Sequence, residues 1–264
     1  MYKFNYQRPN SVEDALALYK TSDDPKFVAG GMTLLPTMKL RLAQPSDLID
    51  LSCVADLSGI TETDDTITIG AGVLHADVAA SKEVDRRIPA LSNLAESIGD
   101  PQVRNRGTIG GSIANNDPAA DYPAGVLGLN ATVVTDRREI MADDFFTDMF
   151  ETALLPDEVV VSVRFPVPKR AAYVKFPNPA SRYAIVGVMV AECDSGIRVA
   201  VTGAGPCVYR FTEMEEALNK EFSPQVTGEI ACEPDGLNED IHASAEYRAH
   251  LVGVMVRRAV AAAN

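Results

Sequence analysis

Apolar and polar positions change period several times along the chain, which predicts a mixture of helices and strands. Apolar residues recur at helical spacing after Ser11-Val-Glu-Asp14, a sequence that resembles a capping box and marks a first helix. Thr33 is expected to cap a further helix because it follows a short strand and a glycine pair. The other predicted elements are helices at 34–42, 75–82, 88–98, 212–220 and 244–263, and strands at 26–29, 47–52, 66–72, 131–135, 158–165, 184–192 and 197–202.

Prolines punctuate the chain after the strand predicted at 158–165. They stand at positions 166, 168, 177 and 179, and they indicate a domain boundary near Pro168. Beyond that boundary, the strands at 184–192 and 197–202 are predicted to form a hairpin around Asp194-Ser-Gly196.

The composition is that of a globular chain with an acidic excess. Of the 264 residues, 46% are apolar, and the net charge is −13. Such a charge argues against nucleic-acid phosphates or an anionic membrane as partners. The N-terminal residues lack the pattern of a signal peptide, and no apolar run approaches the roughly 18 residues needed to cross a bilayer. We therefore expect a cytoplasmic protein with no membrane span and no nucleic-acid partner.

The cysteines and histidines do not predict a metal site. The four cysteines, at positions 53, 193, 207 and 232, are far apart and form no CxxC pair. The three histidines are equally scattered, which argues against a Ser-His-Asp arrangement. If the chain takes part in chemistry, a cofactor has to supply it.

Four glycine-rich segments separate the predicted elements, and two of them predict ordinary turns. Gly70-Ala-Gly72 precedes a helix, but His75 stands at the third glycine position of a dinucleotide fingerprint, which argues against a Rossmann site. Gly203-Ala-Gly205 is followed by Pro206 without a helix start, so a plain turn is expected there.

Residues 29–33 and 107–112 differ because each places consecutive small residues beside a hydroxyl group. Successive backbone N–H groups at such turns can hold a pyrophosphate without a lysine. Each segment alone is equally compatible with a tight turn. Together, and with Asn115, Asn116 and Asp121 as further polar candidates, they favour a phosphate-bearing cofactor held from both sides.

Several stretches resemble the FAD-binding medium subunit of the molybdenum hydroxylases, the family of the carbon monoxide and xanthine dehydrogenases. They are VAGGMTLLP, IGDPQVRNRGTIGGSIANNDPAADYPA, EVVVSVRFP, YVKFPNPASRYAIVGV and DIHASAEYRAHLVGVMVRRA. The resemblance spans almost the whole chain. AGGMT and TIGGS, in that order and about eighty residues apart, are its most specific part, and ASAEYR adds to it.

The resemblance implies an α+β fold with two domains. A two-lobed FAD-binding domain of the vanillyl-alcohol-oxidase (PCMH) type would occupy 1–168, with lobes at about 1–59 and 60–168. A smaller α+β domain of the CO dehydrogenase flavoprotein type would occupy 169–264. In such enzymes a molybdopterin-binding large subunit oxidises the substrate, a small subunit with two [2Fe–2S] clusters relays electrons, and FAD passes them to a terminal acceptor. The expected assembly is a dimer of heterotrimers.

The resemblance also implies a set of residues that hold FAD, and no metal or catalytic residues in this chain. Residues 29–33 and 108–112 would hold the pyrophosphate region, with Val160 near the adenine or flavin edge and Lys175 and Tyr183 at the flavin. The full set is Ala29, Gly30, Gly31, Met32, Thr33, Ile98, Thr108, Ile109, Gly110, Gly111, Ser112, Asn115, Asp121, Val160, Lys175 and Tyr183. Composition alone would instead make Asp121 and Lys175 exposed surface charges.

The chain departs from the family pattern at two of these positions. Met32 stands where some relatives carry histidine, and Ser112 stands where asparagine is frequent. Neither change removes a backbone donor, so FAD binding is expected to persist. The missing imidazole at position 32 predicts non-covalent FAD.

Two other functions remain compatible with the sequence. One is a stand-alone flavin oxidoreductase on the same fold, such as a UDP-N-acetylenolpyruvoylglucosamine reductase, and the other is a flavin-free scaffold. In the leading interpretation, Arg104 and Arg106 are candidate contacts for the iron–sulfur partner, the alternative being that both pair with nearby acids. The substrate of the whole enzyme and the terminal acceptor, whether quinone, O2 or NAD, stay open at this point.

Overall fold

A small parallel sheet flanked by two helices forms the first part of the chain. Its elements are β1 (Asn5–Gln7), α1 (Val12–Thr21), β2 (Pro25–Val28), α2 (Leu34–Lys39) and β3 (Asp47–Asp50). The structure is a computed structural model that describes residues 1–263. Ser11 caps α1 as predicted, since its hydroxyl accepts from the Asp14 N–H at 3.0 Å. β3 pairs with both β1 and β2, and Val28 and Met38 contribute to a small core here.

Helix α2 differs from its prediction at both ends. Thr33 has helical backbone angles and its hydroxyl makes no capping bond, so the predicted cap is wrong. The helix ends at Lys39 instead of residue 42 because Arg41 adopts a left-handed φ of 63°. The N–H of Leu42 then returns to the carbonyl of Thr37 at 3.0 Å, which satisfies a helix-end acceptor.

A five-stranded antiparallel sheet covered by helices forms the second part. In sheet order its strands are β4 (Ile60–Glu62), β5 (Thr66–Gly70), β10 (Val160–Pro166), β6 (Thr132–Thr135) and β7 (Glu139–Met141). The elements between them are α3 (His75–Ala80), α4 (Lys82–Arg87), α5 (Pro89–Glu96), α6 (Pro101–Arg104), α7 (Ile109–Asn115), α8 (Tyr122–Gly128), α9 (Ala142–Phe145) and the hairpin of β8 (Phe146–Asp148) and β9 (Glu151–Thr152). β10 occupies the centre of the sheet, where Val163 and Phe165 are fully buried.

A four-stranded antiparallel sheet carrying two helices forms the C-terminal part. Its elements are β11 (Arg170–Pro177), β12 (Ala184–Cys193), β13 (Gly196–Thr202), β14 (Tyr209–Arg210), α10 (Thr212–Lys220) and α11 (Ala245–Ala262). Successive side chains of β12 point to opposite faces. Val188 and Val190 join the core under α10 and α11, whereas Met189 and Ala191 join the core around α8. One sheet therefore belongs to both hydrophobic cores.

Several predicted bounds change in the structure. Helix α10 and the β12–β13 hairpin match their predictions closely, with Gly196 at φ 115° in the turn. Strand β11 and helix α4 were not predicted. The strands predicted at 47–52 and 66–72 end at Asp50 and Gly70, and the helices predicted at 75–82 and 88–98 span 75–80 and 89–96. Over residues 1–263, every helix is too short or too polar to span a bilayer.

Candidate FAD-binding cleft

A cleft of about 880 Å³ opens where the first two parts of the fold meet the loop between β11 and β12. Its volume lies in the range typical of ligand sites in proteins. The lining residues come from stretches within 26–34, 51–58, 71–75, 98–121, 150–160 and 181–183. The two predicted phosphate-binding segments therefore share one cleft.

The first glycine segment presents free backbone donors. The N–H groups of residues 30–33 find no acceptor among residues 1–263. Gly31 has a φ of 71°, which favours glycine. A Cβ at Gly30 would lie 2.1 Å from the carbonyl oxygen of Arg106, so only glycine allows the two segments to approach this closely. This segment can supply converging donors to an anion.

The second glycine segment uses its donors within the chain, contrary to the prediction. The Thr108 hydroxyl accepts from the Gly111 N–H at 3.1 Å and so caps α7. The N–H groups of Ile109 and Gly110 donate to carbonyls of the turn between β5 and α3. Gly111 still lines the cleft, and a Cβ there would meet only the Thr108 hydroxyl at 3.0 Å and Ala29 at 3.9 Å. Gly111 therefore allows a bound group to approach the backbone closely, but the segment does not present a row of free N–H groups.

Of the residues that the resemblance implies for FAD, the structure brings all to the cleft except Ile109 and Lys175. Ile109 is fully buried in the core beside α7. Lys175 is not the surface charge that composition suggests, since its side chain is only 6% exposed. It reaches the cleft through Asp121 and itself lines a separate depression of about 430 Å³.

Asp121 is held at the cleft by a buried polar cluster. The Lys175 ammonium lies 2.9 Å from its carboxylate and also donates to the carbonyls of Ser97 and Arg182, at 2.8 and 3.0 Å. The Tyr173 hydroxyl donates to the same carboxylate. Burial raises the pKa of Asp121, while the Lys175 charge and the Tyr173 bond oppose that shift by favouring the carboxylate. The cluster fixes the orientation of Asp121 and ties β11 to α5 and α8.

His75 forms part of the cleft wall, although its segment predicted an ordinary turn. It is 5% exposed, and its Nδ1 has no hydrogen-bond partner among the described residues. Burial, assisted by the charge of Arg104, lowers the pKa of His75 to about 4. Its ring lies against Tyr122 with centroids 5.2 Å apart, and a Cβ at Gly107 would come within 2.5 Å of its Nε2. The imidazole is therefore neutral at physiological pH.

Phe150 lines the cleft from the tip of the β8–β9 hairpin. It is 57% exposed and has a φ of 55°, an unusual conformation for a bulky residue. Asn116 holds the tip, because its carbonyl accepts from the Phe150 N–H at 3.1 Å and its amide donates to the carbonyls of Asp148 and Glu151 at 2.8 Å each. Asn116 itself does not line the cleft, so it is not the polar contact that was predicted.

Sequence reasoning missed several cleft residues besides His75. They include Ala71, Gly72, Leu74, Gly99, Asp117, Phe150, Leu154 and Glu158. The glycine pair at 70 and 72 was a usable signal, since it stands at the end of a strand as Gly30 and Gly31 do. Phe150 carried no sequence signal, because its importance rests on a backbone angle.

The two arginines proposed as partner contacts differ in the structure. The Arg104 guanidinium is half-buried and donates to the carbonyls of Ile98 and Gly99 at 3.1 and 3.3 Å. Arg106 is exposed at the rim of the cleft. Within residues 1–263 neither side chain pairs with an acid, so the alternative of local ion pairing is wrong for both.

The residues present fit an elongated dinucleotide. Free N–H groups at residues 30–33 suit a pyrophosphate, and apolar side chains such as Phe27, Leu57 and Val160 line the same cleft and suit ring systems. Over the described part of the chain, no group of three or more His, Cys, Asp or Glu side chains is arranged to hold a metal ion. The free N–H groups and the apolar lining together suit an organic cofactor.

Comparisons with known proteins agree with this fit. A family described as the FAD binding domain in molybdopterin dehydrogenase matches residues 2–168, and the CO dehydrogenase flavoprotein C-terminal domain matches residues 171–263. The nicotine 6-hydroxylase medium subunit of Paenarthrobacter nicotinovorans is 39% identical, with 98% of this chain and 96% of that protein covered. The carbon monoxide dehydrogenase medium chain of Hydrogenophaga pseudoflava is 38% identical, with 99% and 97% covered.

A solved structure shows the same fold. The reconstituted CO dehydrogenase from Oligotropha carboxidovorans superposes with a TM-score of 0.93 at 32% identity, with 99% of this chain and 98% of that chain covered. The resemblance noted in the sequence, the α+β fold and the FAD cofactor are therefore confirmed. The chain belongs to the family of FAD-binding medium subunits of the molybdenum hydroxylases.

Proposed function

We propose that the chain transfers electrons within a molybdenum hydroxylase, from the [2Fe–2S] clusters of a partner subunit to a terminal acceptor. The observation that carries this proposal is the cleft between the two glycine segments, in a chain that matches medium subunits over nearly their whole length. The partners are a molybdopterin-binding large subunit and an iron–sulfur small subunit, assembled as a dimer of heterotrimers in the cytoplasm.

In this proposal the first glycine segment holds the pyrophosphate of FAD. The free N–H groups of residues 30–33 supply the donors, and Gly111 leaves room beside them. Asp121, fixed by Lys175 and Tyr173, provides a further polar contact in the same cleft. Bound FAD supplies redox chemistry that no side chain of the cleft provides.

We infer that FAD is held without a covalent bond. Met32 occupies the turn where some relatives carry histidine, so this position has no imidazole that could bond covalently to the flavin. The imidazole of His75 is buried in the cleft wall, with a Gly107 Cβ position only 2.5 Å from its Nε2. All contacts to the cofactor are therefore hydrogen bonds and packing.

We also propose that the FAD-binding domain ends at residue 168, with lobes at about 1–59 and 60–168, and that 169–264 form the second domain. The separate sheets before and after this point support the division. The packing of β12 into both cores predicts that the two domains unfold together. This chain holds the cofactor, and the large subunit selects the substrate.

Reduction of the bound flavin by the iron–sulfur partner tests the electron-transfer role. The FAD-loaded chain is mixed with its reduced [2Fe–2S] partner, and flavin bleaching is followed by stopped flow. We expect fast bleaching, slowed about tenfold by Arg106→Glu, because a rim charge mainly changes the association rate. Arg257→Glu makes the same charge change on an exposed face of α11 and should leave the rate unchanged. Direct substrate turnover by the isolated chain, with no bleaching by the partner, would indicate a stand-alone flavoenzyme.

A further inference from the structure

Arg248 is a buried cation at the start of helix α11, within the ASAEYR stretch. Its side chain is 5% exposed. One guanidinium nitrogen donates to the carbonyls of Ile185 and Gly203 at 2.7 and 3.0 Å, and another lies 2.8 Å from a carboxylate oxygen of Asp240. Arg248 therefore joins the start of β12 to the residue that follows β13.

The turn at Gly203 brings these two carbonyls together. Gly203 has a φ of 83°, and a Cβ there would lie 2.6 Å from the carbonyl oxygen of Ala184 and 2.7 Å from that of Ile185. Any other residue would force the two strand ends apart. The segment that the sequence predicts as a plain turn is thus the point where the Arg248 guanidinium binds both strand ends.

The same two strand ends hold a segment of the cleft wall. The carbonyl of Pro118 accepts from the Gly203 N–H at 2.8 Å and from the Thr202 hydroxyl at 3.1 Å. The carbonyl of Ala119 accepts from the Ala184 N–H at 3.2 Å, and that of Ala120 accepts from the Thr202 hydroxyl at 2.7 Å. Asp121 follows directly and lines the cleft. The chain of contacts runs from Arg248 through the strand ends to the Asp121 side of the site.

We propose that Arg248 is a positioning residue for FAD: it fixes the ends of β12 and β13, which in turn hold residues 117–121 in the binding-competent arrangement. Without the guanidinium, two buried carbonyls lose a charged donor, and the strand ends that hold the wall gain freedom. Residues that orient such a wall affect affinity without touching the ligand. The C-terminal ASAEYR stretch then acts on cofactor binding from outside the cleft.

Arg198 provides a matched control. Its side chain is also 5% exposed, its Nε donates to the carbonyl of Leu127 at 2.9 Å, and its terminal nitrogen lies 2.6 Å from Asp143. The acidic partners of Arg198 and Arg248 are 41% and 46% exposed. Neither Leu127 nor Asp143 lines the cleft. Loss of either arginine should lower stability, but only loss of Arg248 should reach the FAD site.

The test compares Arg248→Met with Arg198→Met in the full chain. Urea unfolding gives the stability of each FAD-free variant, and flavin fluorescence gives its FAD dissociation constant. We expect both variants to be less stable, and the dissociation constant to rise about tenfold only in Arg248→Met. Amide hydrogen exchange at residues 116–122 of the FAD-free chain should be faster in Arg248→Met and unchanged in Arg198→Met.

Two results would overturn the proposal. One is an Arg248→Met chain with wild-type FAD affinity and wild-type exchange at residues 116–122. The other is an equal loss of affinity in Arg198→Met, which would show that the effect follows stability alone. If Arg248→Met does not fold, Arg248→Lys decides in its place, because an ammonium retains the charge but cannot reproduce the forked geometry. Wild-type FAD affinity in that variant would equally refute the positioning role.

Discussion

A neutral imidazole is built into the cleft wall at His75. The ring is enclosed by Tyr122 and by the backbone of Gly107, and the positive charge of Arg104 acts on it as well. Enclosure and charge both disfavour the imidazolium, which is why its pKa falls to about 4. His75 therefore makes folding sensitive to mild acid.

The FAD-free chain should lose stability between pH 6.5 and pH 4. In this window the unfolded chain protonates His75 whereas the folded chain does not, so the stability present above pH 6.5 is lost as the pH falls. The largest loss from this group is about 3 kcal/mol. About 2 kcal/mol of this loss should appear between pH 7 and pH 5, and urea unfolding at the two pH values measures it.

Substitution of His75 separates its part of the acid-induced loss of stability from the part due to other titrating groups. His75→Leu should flatten the loss between pH 7 and pH 5, whereas His250→Gln, at an exposed histidine of α11, should leave it unchanged. An equally steep loss in His75→Leu would assign the acid sensitivity to other groups. The pKa of Glu158 is lowered to about 2, mainly by its bond to Arg138. Glu158 therefore adds to the loss of stability only as the pH falls below about 4.5.

At the scale of elements, the β8–β9 hairpin holds one residue in a strained conformation. Phe150 sits in the left-handed region at the hairpin tip, where Asn116 fixes the backbone from the end of α7. Left-handed angles cost a bulky residue roughly 1–2 kcal/mol, and glycine avoids that cost. Because the ring is 57% exposed, little burial offsets the strain.

Phe150→Gly should therefore stabilise the FAD-free chain by about 0.5–1 kcal/mol, after the entropy cost of glycine in the unfolded state is subtracted. Urea unfolding is the measurement. Asn130→Gly is the matched control, since Asn130 has a φ of 54° but asparagine tolerates that region, so its gain should be smaller. Lower stability of Phe150→Gly than of wild type would show that the ring packs more strongly than its exposure suggests.

Elements with strong local signals were predictable from the sequence, and those set by distant contacts were not. Helix α10 was placed correctly because its apolar periodicity is a local signal. Strand β11 was missed because the surrounding prolines indicate breaks, yet Pro177 lies at the end of the strand beside a bulge and disturbs little. The free donors expected at 108–112 are absent because they are used within the chain. The turn after β5 accepts from Ile109 and Gly110, which lie about 36 to 39 residues away in sequence, and Thr108 accepts from Gly111 and Ser112.

At the scale of the molecule, the site is assembled from segments that are far apart in the chain. The pairing of residues 29–33 with 107–112 was predicted, and the structure brings them together at Gly30 and Gly107. The depth of Lys175 and the role of Asp121 within a buried cluster could not be inferred, because burial of a charge depends on the packing of β11 against α5. The division at residue 168 stays a prediction.

The cleft as FAD site is the central claim, and Gly111 offers its cleanest probe. A Cβ there meets only the Thr108 hydroxyl at 3.0 Å and Ala29 at 3.9 Å, whereas a side chain at Gly30 would collide with the backbone of Arg106 and disturb the fold. Gly253 is a control on helix α11, since a Cβ there meets nothing within 4 Å. Replacement of glycine by valine changes helix propensity similarly at the two positions, so the variants differ mainly at position 111, in access to the cleft and in contact with the Thr108 hydroxyl.

The deciding measurement is a fluorescence titration of the FAD-free chain and its Gly111→Val and Gly253→Val variants with FAD. The account predicts reversible binding of one FAD per chain in the wild type and in Gly253→Val, with all flavin released by acid precipitation. It predicts at least about a tenfold higher dissociation constant in Gly111→Val, equivalent to about 1.4 kcal/mol. Stoichiometric, wild-type binding by Gly111→Val would contradict the account and place FAD elsewhere on the chain.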